Sequence, residues 1–308
     1  MTPAQEKNRE KAHRFGGDWT IAKLNVVAKY LTAYATALHD KPSPQQPFQK
    51  AYIDAFAGTG YREPRHERAG DSKALLFPDL ADQESQDLLE GSAIRALRIQ
   101  PPFDKYIFIE NNPKRCKQLE NLKSQFPELA SQIDIRMEDA NTEIQRICSA
   151  NWSSHRAVLF LDPYGMQVEW KTIEAVAATH AIDLWLLFPL GMGVNRLLKR
   201  SGDIPINWRQ RLNVLLGTEE WYDEFYKIES ITNLFEQDNE RVIKASIDVI
   251  GRYFNDRLKQ IFAGVADRPG VLRNSHNNPL YLLCFAMGNK RGAPIALRIA
   301  KHLLQELH

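Results

Sequence analysis

The chain has 308 residues, with 40 Lys and Arg against 38 Asp and Glu, so its formal net charge is only +2. Hydrophobic residues make up 44% and charged residues 25%, which excludes a disordered chain and allows one large domain or two modest ones. The near balance of charge also excludes a polyanion-coating tail, while leaving room for a local basic face.

From 19 to 38 apolar residues recur at helical spacing (Ile21, Leu24, Val27, Ala28, Leu31, Tyr34, Ala35, Leu38). Thr20 stands where a cap is expected, and the proline cluster at 41–47 stops the helix. Five short apolar runs, 51–56, 106–110, 133–137, 157–161 and 183–188, then read as buried strands. Helical patterns at 92–99, 113–126, 141–150 and 170–179 separate them, and this alternation predicts a doubly wound α/β sheet. After Phe188 the alternation stops, and 195–263 reads as several helices interrupted at Pro205 and Gly217. Strand character returns at 280–287 after the turn-rich 273–279. A final helix, 294–306, has Pro294 in its first turn.

Cys116, Cys148 and Cys284 are the three cysteines and lie far apart. An odd count without a C-x-x-C pair fits a reducing compartment, and no metal-ligand spacing is present, so no metal is expected. The longest uncharged apolar stretch, 184–195, is broken by Pro189 and is too short for a membrane span. With a charged N-terminal segment that lacks an apolar signal region, the expectation is a soluble, cytoplasmic protein with no membrane partner.

Four strand tips carry chemistry. The run Tyr52-Ile53-Asp54-Ala55-Phe56-Ala57-Gly58-Thr59-Gly60 takes a strand into a G-x-G turn, where glycine lets the backbone approach a ligand; a plain tight turn would read the same way. Glu110, at the tip of the second strand, can take both hydroxyls of a ribose, or it can cap the helix that follows. It lies 50 residues beyond Gly60, so 61–90 looks like an insertion and the delayed helix begins near Ser92. Asp139, after the third strand, can accept a hydrogen bond from an adenine amine or serve as an N-cap.

The fourth tip is Asp162-Pro163-Tyr164-Gly165. Proline turns the chain out of the sheet there. That turn presents a carboxylate, a carbonyl and an aromatic ring at the carboxyl edge, where open α/β folds bind ligands. Two acceptors can hold the two N–H bonds of an amino group, and a ring beside them can stack on a base. A simple Asp-Pro connection is the alternative.

Taken in order, these tips resemble a class I S-adenosylmethionine-dependent methyltransferase and, more closely, the three-Cys-motif partner protein family. The matching segments are FGGDWT at 15–20, IDAFAGTG at 53–60, Gly91-Ser92 before Ala96-Leu97, Ile109-Glu110, Asp139-Ala140 and FLDPYG at 160–165, with Leu187-Phe188-Pro189 and Tyr281-Leu282-Leu283 late in the chain. The resemblance implies a Rossmann-like class I methyltransferase sheet of seven strands, the last antiparallel. An N-terminal helix precedes it and a helical insertion follows strand five.

On this basis the chain divides into an N-terminal helical extension (1–47), a methyltransferase-like domain (48–190 with 265–308) and a helical insertion (191–264). The implied cofactor is S-adenosyl-L-methionine. Asp54, Phe56, Gly58 and Gly60 would surround its methionine part, Glu110 its ribose, and Asp139 with Ala140 its adenine. Asp162, Pro163 and Tyr164 would stand for the Asp/Asn-Pro-Pro-Tyr element of amino-group methyltransferases, with one proline in place of two. A similar Asp-Pro-aromatic-Gly turn occurs in tRNA guanine N2-methyltransferases. The family name refers to cysteines of a neighbouring iron–sulfur-type protein, which is the implied partner; the cysteines here do not match that motif.

Charge placement adds a substrate expectation. Between 194 and 214 stand Arg196, Lys199, Arg200, Arg209 and Arg211 against Asp203 alone, whereas 218–240 holds eight acids and only Lys227. Arg62 and Arg65 lie near the glycine turn. Together with Arg196, Lys199 and Arg200 they suit a phosphate backbone, or all are solvated faces. The sequence thus predicts a methyltransferase acting on a nucleobase amine in RNA or DNA. A protein or small-molecule acceptor, or a non-catalytic cofactor-binding subunit, is the alternative.

Overall fold

Short runs rich in Ile, Val, Phe and Tyr suit a pleated, doubly covered surface, and the computed structural model, which describes residues 18–58, 91–231 and 239–307, turns them into one sheet. In chain order the strands are β1 (Gln49–Asp54), β2 (Lys105–Ile109), β3 (Ile133–Arg136), β4 (His155–Leu161) and β5 (Ile182–Phe188), then β6 (Tyr226–Ile231), β7 (Asn239–Lys244), β8 (Gly264–Val265), β9 (Gly270–Arg273) and β10 (Pro279–Met287). The sheet runs β8/β9, β10, β5, β4, β1, β2, β3. Strands β1 to β5 are parallel and β10 is antiparallel to β5. The short strands β8 and β9 share the outer edge of β10, so eight strands fill seven ladder positions. This is the Rossmann-like class I methyltransferase sheet that the resemblance implies.

The α-helices longer than five residues are α1 (Asp18–Ala37), α2 (Ser92–Leu97), α3 (Pro113–Gln125), α4 (Ala140–Cys148), α5 (Trp170–Ala178), α6 (Ile206–Leu216), α7 (Ile247–Ile261) and α8 (Ala293–Leu304). Alternation along the strands sends Tyr52, Tyr106, Phe160 and Trp185 to one face, under α1, α2, α3 and α8. Ile53, Leu159, Leu184 and Leu186 point to the other, under α4 to α7. Burying each large apolar side chain stabilises the fold by about 1.5–3 kcal/mol.

Helix α1 begins at Asp18, so Thr20 is not its cap but lies inside the first turn, fully buried. The N-terminal helix is therefore part of the sheet's cover: Tyr30 packs on Trp185 and Phe285. Helix α2 starts after Gly91, at Ser92, as the delayed helix was expected to.

The segment 191–264 departs from the helical expectation. It contains α6 and α7, but β6 and β7 pair as an antiparallel hairpin. Ile228, Ile231, Val242 and Ile243 are β-branched, a residue type that favours extended chain over helix. Helix α7 joins the sheet directly, with Phe254 stacked on Phe188 at 3.9 Å between ring centroids.

Gly217 ends α6 with φ 69°, the left-handed conformation that favours glycine. A Cβ there would lie 2.0 Å from Trp170 Cδ1. Gly217→Ala should therefore lower unfolding free energy by about 2–3 kcal/mol in chemical denaturation. A loss below about 0.5 kcal/mol, within the range of an ordinary surface change, would show that this approach is not a constraint.

Candidate functional site

The order of connection reverses at β1, which stands between β2 and β4. A crevice at the carboxyl ends of such strands is where open α/β sheets take ligands. Asp54 ends β1 there and is fully buried. Its carboxylate accepts from the Phe56 N–H and the Tyr52 hydroxyl, each at 3.3 Å. Burial pushes its carboxyl up to about 6, held back by a Ser92 hydrogen bond and raised further by the nearby Asp162 charge. Four residues on, Gly58 has φ 62°, and among the described residues a Cβ built on it would meet nothing within 4 Å. The turn is thus an open backbone cradle beside a buried acid. Phe56 is half-buried beside it. Gly60, Arg62 and Arg65 lie outside the described residues.

Glu110 follows β2 and is buried. It is not the cap of α3: Asn112 is, its Oδ1 accepting from the N–H groups of Lys114 and Arg115. Glu110 Oε1 accepts from the Asn112 N–H at 2.9 Å, and Oε2 lies 3.6 Å from Arg115 Nη1. The carboxylate is thus fixed in orientation with Oε2 only loosely engaged. Asp139 does act as the N-cap of α4, its Oδ1 accepting from the Thr142 N–H at 3.0 Å and hydroxyl at 3.2 Å. Ala140 is buried behind it. Met137, not foreseen as a site residue, is 60% exposed just past β3 and offers an apolar surface on the same edge.

Asp162 follows β4 on the same side as Phe160, which pairs with Asp54 in register. Pro163 is buried, and Tyr164 presents its ring to solvent, 61% exposed. The turn is held by the Tyr164 N–H donating to Gln167 Oε1 at 3.0 Å and by Gly165 at φ 68°.

The residue that sequence reasoning missed is Lys23. Its Nζ donates to Asp162 Oδ1 at 2.7 Å and Oδ2 at 2.6 Å, and it is only 1% exposed. The signal was present: Thr20, Lys23, Val27 and Tyr30 share the buried stripe of α1, and a lysine at core spacing calls for a buried acid.

Arg196, Lys199 and Arg200 are exposed just beyond the turn that leaves β5. Lys199 lies over the Trp208 ring, and Arg209 over Tyr222 at 4.6 Å. Lys244 reaches back to the Asn195 carbonyl at 2.9 Å, close enough to Arg200 for that charge to add to burial in lowering its pKa. Among the described residues no group of three or more His, Cys, Asp or Glu could hold a metal ion, and no helix is long and apolar enough to cross a membrane.

No protein-family model matches this sequence, and no curated protein matches it either. Solved structures do resemble its chain course. A Legionella pneumophila protein of family model DUF519 is 11% identical, with 95% of this chain and 93% of that one covered and a TM-score of 0.45. An SAM-dependent O-methyltransferase from Thermotoga maritima is 12% identical, with 83% and 64% covered and a TM-score of 0.29. The N-terminal domain of EvdMO1, solved in the presence of SAH and D-fucose, is 7% identical, with 84% and 81% covered and a TM-score of 0.35. Likeness at this level says nothing about substrate.

The buried Asp54 carries a stability consequence. Its carboxyl titrates near 6 in the fold against 3.8 ordinarily, so the native state binds this proton more tightly than the unfolded chain does. The penalty is therefore full above about pH 6, shrinks as pH falls from about 6 towards 3.8, and is gone below that. Asp54→Asn should be more stable than wild type at pH 8 by about 1–3 kcal/mol, with the advantage roughly halved at pH 5. Urea denaturation at the two pH values checks this; no gain at pH 8 would show that Asp54 is better solvated than its burial indicates.

Proposed function

We propose that the protein is an S-adenosylmethionine-dependent methyltransferase that modifies an amino group of a nucleobase in RNA or DNA. What carries this is the convergence, at the switch point of the sheet, of a buried acid beside an open glycine turn, a second buried acid on β2, and an Asp-Pro-Tyr turn on β4. Bound there, the cofactor would supply a methyl group already activated on a sulfonium.

The residues present fit such a group. Asp54 is a buried carboxylate whose hydrogen-bond partners Tyr52, Ser92 and Phe56 are all uncharged, which suits a ligand with net positive charge. The Gly58 cradle admits close approach. Glu110 Oε2 can accept from a ribose hydroxyl. Met137 and Asp139 offer an apolar face and a carboxylate to a purine.

On the acceptor side, Asp162 and the Pro163 carbonyl are both acceptors and can hold the two N–H bonds of an amino group. That leaves the nitrogen lone pair directed outward, so alignment replaces the need for a strong base. The nitrogen would take the methyl as its carbon–sulfur bond breaks to leave a neutral thioether, and would then lose a proton to water. The exposed Tyr164 ring can stack on a base taken out of its helix. Arg196, Lys199 and Arg200, with Arg62 and Arg65, would meet the phosphate backbone.

A second reading is favoured by one observation, that Lys23 engages both oxygens of Asp162. In it the chain is a cofactor-binding, non-catalytic subunit, and the three-Cys-motif iron–sulfur protein implied by the sequence resemblance is the partner it serves.

Calorimetry with S-adenosylhomocysteine should give binding; none at millimolar ligand would sink both readings. Affinity for S-adenosylmethionine should fall by up to about tenfold per pH unit below 6, as Asp54 takes up its proton. Transfer of labelled methyl groups to total RNA, DNA and protein then separates the readings. The nucleic-acid label should drop at least about a hundredfold in Asp162→Ala. Equal label in wild type and variant would refute the role of Asp162, and label in protein alone would move the acceptor elsewhere.

A further inference from the structure

We propose that Lys23 is a positioning residue that also sets specificity: paired with Asp162, it cancels the charge of that carboxylate, so that the site takes an uncharged amino group and turns an ammonium away. This rests on the methyltransferase reading and narrows its substrate class to weakly basic amines such as those on nucleobases.

The geometry supports a fixed pair. Lys23 reaches Asp162 from the second turn of a helix that cannot easily swing. Trp19, one turn earlier, stacks on Tyr281 at 5.3 Å between centroids. Tyr30, two turns later, donates to the buried Asp183 at 2.5 Å. The Lys23 ammonium also lies 5.0 Å from the centre of the Trp19 ring, which confines it further.

The pair does not exhaust Asp162. A carboxylate has about four lone-pair positions, and Lys23 occupies one on each oxygen. The remaining positions can still accept N–H bonds on the partly exposed side, where Tyr164 stands. What the pair removes is charge. A bare carboxylate would collect protonated amines, which have no lone pair to receive a methyl group. A neutral ion pair with spare acceptor capacity discriminates against them, because an ammonium loses its hydration without gaining a net opposite charge. Asp54 then remains, among the described residues, a buried carboxylate without a cation, on the cofactor side.

The test uses two ligands that differ by a charge. Sinefungin carries an ammonium where S-adenosylhomocysteine has its uncharged sulfur, on the side that faces the acceptor. Calorimetric affinities for both are measured with the full chain as wild type, Lys23→Gln, Asp162→Asn and the double variant. Circular dichroism checks each fold.

Exposing the Asp162 charge in Lys23→Gln should raise the preference for sinefungin over S-adenosylhomocysteine about tenfold, the size expected for one charge at a partly screened distance. Asp162→Asn should lower it by a similar factor, and the double variant should return to within about twofold of wild type. Should Lys23→Gln not fold, Asp162→Asn and the double variant still carry the comparison. If Lys23 is only a clamp on α1, both ligands weaken together and the ratio stays constant, which overturns this inference and leaves the methyltransferase reading standing. If wild type binds neither ligand, both fall.

Discussion

A carboxylate withdrawn from water costs several kcal/mol unless a cation or a set of hydrogen bonds meets it, and at the carboxyl edge of this sheet the neighbouring strands β1 and β4 each lead into one. Asp54 and Asp162 end neighbouring strands, close enough for one to raise the pKa of the other. Each is met differently. Asp54 has only neutral donors and pays in a raised pKa, whereas Asp162 is met by the buried ammonium of Lys23. The position of α1 follows from this, since without it Asp162 would stand uncompensated beside a second acid. The helix that looks like an N-terminal extension is therefore a component of the site.

The same helix is pinned at a second point, and the two spacings agree. Lys23 and Tyr30 are seven residues apart, about 10 Å along a helix. Asp183 pairs in register with Val158, four residues before Asp162, about 13 Å along a strand. The polar contacts of α1 thus span most of the strand length, and the helix runs opposite to the parallel strands it covers. Asp183 sits in the interior with its carboxyl pushed up to about 7 by burial, and the Tyr30 hydroxyl meets it there. Lys23 and Tyr30, polar groups in the buried stripe of α1, thus each meet an acid on the sheet.

What was legible in the sequence is what local chemistry encodes. The five parallel strands showed as apolar runs because both sheet faces are covered, and the Asp-Pro-Tyr turn showed because proline must leave a sheet. The β6–β7 hairpin did not, since its apolar residues keep no period of two, Ile228 and Ile231 lying three apart and Val242 and Ile243 adjacent, and Ile228 stays 67% exposed. Strand β9 was missed because four residues, Gly270–Arg273, carry too little pattern. The Lys23–Asp162 pair joins positions 139 residues apart; its two halves were readable as an odd lysine and an exposed acid, but only the strand order brings them together. Glu110 and Asp139 show the limit from the other side, because the same letters fit a cap and a ligand. The fold gives the cap of α3 to Asn112 and that of α4 to Asp139.

Seen from the sheet edge, the net charge of +2 resolves into an ordered gradient. The uncompensated buried acid lies at the switch point, a neutral pair lies at the next strand, and the exposed cations Arg196, Lys199 and Arg200 follow the strand beyond it. Field strength at each place follows from burial: the deep charge acts through a poor dielectric, whereas the outer ones are screened within about 10 Å. Under the proposed function, a positively charged small ligand would be drawn to the interior and a polyanion would be met at the periphery, with its phosphates kept away from Asp54. A carboxylate pair left bare at Asp162 would blur that separation by repelling the polyanion where it must come closest. The buried lysine removes that repulsion without adding a cation to the surface, so a nearly neutral chain can still present opposite potentials to two ligands on one edge.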